Sequence, residues 1–118
     1  MDYLIPPVIY PHPQCGYQNQ HIVLASIELL LRIVETPGFV EDVAERFAAM
    51  RKGAGKEVDI AIDFHGAVSP QTSALLIKAL EPYQPLFVEE PVQCQNTEGL
   101  ADLARKTHIP IATGERLY

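Results

Sequence analysis

The chain has 118 residues, 47% of them hydrophobic and 20% charged, which fits one small domain or part of a larger one. Fifteen acidic against nine basic residues give a net charge of −6, a balance that argues against nucleic acid or an anionic membrane as partner. The two cysteines, Cys15 and Cys94, make no metal-ligand spacing and read as free thiols in a reducing compartment.

From Met1 to Gln20 the prolines Pro6, Pro7, Pro11 and Pro13 predict an extended or irregular arm, because each fixes the backbone and removes a donor. That stretch holds no Lys or Arg, so it lacks the basic start of a signal peptide. His12 and His21 have no partner at ligand spacing and read as surface residues. The segment from His21 to Val34 is the most apolar, and His21 to Glu35 has a helical pattern. Its Ile22, Leu24, Ile27, Leu30, Leu31 and Val34 recur at three- and four-residue steps, which predicts a helix, with strand character held open at its C-terminal end. It is too short to span a bilayer and carries Glu28 and Arg32. The expectation is a soluble, cytoplasmic chain in which residues 1–35 stand apart from a second region, 36–118.

Thr36-Pro37-Gly38 breaks the pattern. Phe39 to Lys52 then reads as an amphipathic helix with Phe39, Val43, Phe47 and Met50 on one face, ended by Gly53 and Gly55. Val58 to Asp63 reads as a buried strand, followed by the loop Phe64-His65-Gly66. Ser69 as N-cap and Pro70 at the first position open a helix to about Leu80, with Ala74, Leu76, Ile77 and Leu80 facing inward. Glu81-Pro82 stops it. Leu86 to Glu89 is the next strand, stopped by Pro91. Thr97 caps a helix through about Lys106, and Ile109 to Ala112 is a third strand leading into Gly114-Glu115.

Three carboxylates fall at one interval along this region. Asp63, Glu89 and Glu115 are each 26 residues from the next, and each follows a short apolar run. Strands alternating with helices predict a parallel sheet whose strand ends share one edge. Acids placed there would converge, and three carboxylates with waters suit Mg²⁺. Taken singly, each acid has a structural explanation: Asp63 capping a helix, Glu89 paired with Arg116 or a lysine, Glu115 solvated. The regular interval favours the metal site. Glu90 competes with Glu89, since neighbours on a strand point opposite ways and sequence alone does not separate them. His65, two residues past Asp63, is placed to move a proton near neutral pH. Three strand–helix units do not close a barrel of about eight, so the region reads as a piece of one, with open sheet edges.

DFHG, LIKALEPYQPLFVEEPV and THIPIATGER together resemble the D-galactonate dehydratase group, in the mandelate racemase and muconate lactonising branch of the enolase superfamily. The resemblance is strong from about Val58 to Leu117, extends towards Phe39, and is absent before about Glu35. It implies an α/β fold, a partial (β/α) TIM-type barrel covering roughly the third to fifth strands. It implies Asp63, Glu89 and Glu115 as the three Mg²⁺ ligands, which selects Glu89 over Glu90, and His65 as general acid on a departing hydroxyl. The implied reaction removes the proton α to a sugar-acid carboxylate and places the resulting charge beside Mg²⁺. It then expels the β-hydroxyl as water, giving a 2-keto-3-deoxy acid. The group's His–Asp base on later strands, its polar second strand and its capping domain find no match in these residues. The isolated chain is therefore expected to turn over little or no substrate. A racemase or mannonate-type dehydratase of the same branch, or a non-catalytic remnant, are the alternatives. The expected partner is a small sugar acid, and self-association is left open.

Overall fold

The computed structural model describes Val8–Tyr10, Ile22–Ser26 and residues 35–116. The expectations for His12, Cys15, His21, Glu28 and Arg32 lie outside these residues. The elements follow in the order β1 (Val8–Tyr10), β2 (Ile22–Ser26), α1 (Phe39–Ala54), β3 (Asp59–Asp63), α2 (Pro70–Leu80), a 3₁₀ turn (Glu81–Tyr83), β4 (Val88–Glu89), α3 (Thr97–Lys106) and β5 (Ile111–Ala112). The strands form one sheet in the order β1-β2-β3-β4-β5. Among the described residues only the β1–β2 pair is antiparallel; β2, β3, β4 and β5 run parallel.

This arrangement corrects one expectation. Ile22–Ser26 is a strand and not the start of a helix, paired residue for residue with Asp59–Asp63. A short apolar run cannot be assigned by periodicity alone, and β-branched Ile22 and Val23 suit a ladder whose partner lies far along the chain. The rest of the expected helix, 27–34, lies outside the described residues.

From β3 onward the strand–helix alternation is as expected, with boundaries shifted by a residue or two. The β4 ladder begins before its two-residue core. Leu86 N–H donates to Ile60 O at 2.8 Å, Ile62 N–H to Phe87 O at 3.1 Å and Phe64 N–H to Glu89 O at 2.9 Å. On the other edge Val88 N–H donates to Pro110 O and Glu90 N–H to Ala112 O, both at 2.9 Å.

The helices pack through the faces their sequences provide. α1 buries Val43 and Phe47, with Phe39 and Met50 half-buried beside them. α2 buries Ser73, Leu76, Ile77 and Leu80, an i, i+3, i+4, i+7 stripe. Ala74, expected inward, is exposed; the helix phase puts Ser73 there instead. Ile60, Ile62, Phe64 and Val88 of the sheet complete the core.

The caps follow local chemistry. Ser69 Oγ accepts from Thr72 N–H at 3.2 Å, and Pro70 fills the first turn. Glu35 joins this cap by accepting from Ser69 N–H at 2.7 Å and Ser69 Oγ at 2.9 Å, and also from Thr72 Oγ1. These bonds hold its carboxyl below the usual range. For α3 the cap is Asn96, accepting from Gly99 N–H at 2.9 Å, one residue before the expected Thr97. Arg51, near the end of α1, donates to Val58 O at 2.6 Å and to the carbonyls of Gly55, Tyr83 and Gln84 at 3.0 Å. It thereby ties the α1–β3 and α2–β4 connections together.

Candidate metal and proton-transfer site

Parallel register decides which acids meet. Asp63 and Glu89 are direct partners across β3 and β4, so their side chains leave the sheet on one face at neighbouring strand ends. Glu89 is in turn the partner of Ala112 on β5, and Glu115 follows three residues later in an exposed turn. Burial, then the charges of Asp63, Glu115 and Glu90, raise the Glu89 carboxyl above its ordinary value, with His65 opposing. Glu89 therefore lies within the field of both other expected acids. Among the described residues no three His, Cys, Asp or Glu side chains stand close enough as placed to form a metal cage.

The donor set nonetheless suits a hard divalent cation. It is all carboxylate oxygen, and a cation beside Glu89 would relieve the crowding that disfavours its ionised form. Asp63, Glu89 and Glu115 are the residues that would hold such an ion.

His65 lies on the same strand end. Its backbone N–H donates to Asp63 Oδ1 at 2.7 Å, and its ring Nδ1 is 3.3 Å from Asp63 Oδ2. Asp63 thus orients both the loop and the imidazole, in the manner of an Asx turn two residues long. His65 adopts a φ of 54°, and Gly66 after it a φ of 65°. At Gly66 the loop presses on the next strand's loop. A Cβ there would meet Gln93 Cα and Val92 O at 3.4 Å. Gly66→Ala should therefore cost about 1–2 kcal/mol, chiefly from the left-handed backbone. Urea denaturation checks this, and an unchanged midpoint would contradict it.

Glu90 does not face the same way as Glu89. It is 2% exposed, and its Oε2 lies 3.4 Å from Arg116 Nε. Arg116, one of the expected partners for Glu89, instead serves Glu90. Sequence reasoning missed this pairing. The available signal was an acid beside Pro91 and a base one residue after Glu115, each next to a ligand candidate. Cys94, in the loop after β4, is a half-buried free thiol.

Residues 31–118, most of the chain, match the model of the family described as enolase C-terminal domain-like. The chain belongs to that family. Its place there accounts for the parallel strand–helix units, which form part of an enolase-type barrel. A D-galactonate dehydratase from Ralstonia nicotianae is 45% identical over 86 residues, 73% of this chain and 22% of that protein. A mandelate racemase/muconate lactonizing enzyme-like protein from Rubrobacter xylanophilus superposes with a TM-score of 0.68 at 38% identity, covering 72% of this chain and 22% of that one. The 3,6-anhydro-D-galactonate cycloisomerase from Zobellia galactanivorans gives a TM-score of 0.65 at 30% identity, over 67% of this chain and 22% of its own. The chain thus spans about a fifth of the length of these enzymes. Among the described residues no helix is long and apolar enough to cross a membrane.

Proposed function

We propose that these residues form the metal-binding part of a Mg²⁺-dependent sugar-acid dehydratase, acting on a galactonate-like aldonate to give a 2-keto-3-deoxy acid. The observation that carries the reading is the pairing of Asp63 with Glu89 at neighbouring parallel strand ends, with His65 held on Asp63. The 45% identity to a D-galactonate dehydratase supports the substrate class.

In this reading Asp63, Glu89 and Glu115 hold Mg²⁺. The bound ion supplies Lewis-acid neutralisation of the charge that develops on the substrate carboxylate when its α-proton is lost. His65 is the general acid. With Nδ1 turned to Asp63, Nε2 is the atom assigned delivery of a proton to the departing β-hydroxyl. The base that takes the α-proton is assigned to no residue of this segment. A second reading, another reaction on a galactonate derivative, is favoured by the similarity to the cycloisomerase.

The test uses the protein that carries this segment, with D-galactonate and Mg²⁺, and measures 2-keto-3-deoxy acid formation. His65→Asn should lower turnover by about 10²–10⁴-fold, the range for loss of a general acid, while Mg²⁺ affinity is kept. Unchanged turnover in that variant would overturn the acid assignment. Conversion of the anhydro substrate in place of galactonate would favour the second reading.

A further inference from the structure

Glu90 combines three features that are each unfavourable. Its carboxylate is 2% exposed, a burial that costs heavily unless the charge is paired. Its backbone takes a φ of 44°, although the residue before a proline normally adopts an extended conformation. Among the described residues neither carboxylate oxygen accepts a hydrogen bond, the only close cation being Arg116 Nε at 3.4 Å. Buried ion pairs are poor sources of net stability, so stability alone does not account for this one.

The main chain of Glu90 shows what the pair could do. Its N–H donates to Ala112 O on β5 at 2.9 Å, and its C=O accepts from Gly66 N–H above β3 at 2.8 Å. Three strand ends therefore meet at one residue. The side-chain pair adds a cross-connection between the positions next to Glu89 and next to Glu115. We propose that Glu90 and Arg116 form a latch that sets the approach of Glu89 and Glu115, and so the affinity of the metal site. This rests on the metal reading above. The two are positioning residues: Glu90 draws Arg116 inward, and the turn carrying Glu115 follows.

The sign of one substitution tests the latch. Arg116→Gln removes a positive charge beside a cation site, so the field alone predicts tighter Mg²⁺ binding. The latch predicts the reverse, weakening by about tenfold or more, as when a residue supporting a metal ligand is lost. Arg116→Lys keeps the charge and should recover part of the affinity. Glu90→Gln combined with Arg116→Gln should be no worse than either alone, because both break one interaction.

A second readout needs no metal. Amide hydrogen exchange at Gly66 and Glu90 should quicken in Arg116→Gln and not at Leu76 in the core of α2. Tighter or unchanged Mg²⁺ binding in Arg116→Gln overturns the latch, as does unchanged exchange at Gly66 and Glu90. A wild-type chain that binds no Mg²⁺ overturns the metal reading instead, and the exchange rates then decide the latch by themselves.

Discussion

Phe47→Ala should cost about 3–5 kcal/mol of folding free energy, the range for a fully buried phenylalanine. Phe47 is 0% exposed and lies in the cluster with Ile60, Ile62, Leu76, Leu80 and Val88. The cavity would open between α1, α2 and the sheet, where ordered neighbours relax only in part. Domains as a class are stable by about 5–15 kcal/mol, so one such loss removes a large share of the total. The control is Leu75→Ala on the same layer of helices. Leu75 is 58% exposed, and its truncation should stay within about 0.5 kcal/mol. Denaturant titration of the two variants reads both numbers. Equal midpoints would mean that this core does not hold the chain together.

The second large effect falls on the site. Asp63→Asn should weaken Mg²⁺ binding by about a hundredfold or more, the upper end of what losing even a supporting partner costs. Asp63 has two tasks. It is a ligand candidate, partnered in register with Glu89, and it holds His65 through the backbone N–H at 2.7 Å and the ring at 3.3 Å. An amide keeps the size and one acceptor oxygen, so the loop should survive while the charge is lost. His65→Asn, by contrast, should spare the metal. If both variants bound Mg²⁺ equally poorly, the ligand and acid roles would not be separable as drawn.

Much of the region after Phe39 was legible because its signals are local. Ser69-Pro70 opens α2 through a side-chain cap and a fixed φ, and Phe39, Val43, Phe47 and Met50 place α1 on the sheet by helical spacing alone. The interval between Asp63, Glu89 and Glu115 was visible because one strand–helix unit repeats. What escaped depends on partners far along the chain. Ile22–Ser26 is a strand because it pairs with β3, and no pattern within those five residues requires it. Ala74 and Ser73 exchange places because the phase of α2 is set by what lies beneath it. Alternation says that Glu89 and Glu90 face different ways but not which of them joins Asp63; register with Asp63 decides for Glu89, while Glu90 takes a positive φ and meets Arg116. Arg51 bonds four carbonyls, three of them from loops after α1 and α2, which no pattern around it in sequence shows.

The most direct test of the central claim is calorimetric titration of Mg²⁺ into the 118-residue chain, with Asp63→Asn alongside. The account predicts saturable binding of one ion per chain that is lost in the variant. Absence of binding, or binding that Asp63→Asn leaves unchanged, would contradict it.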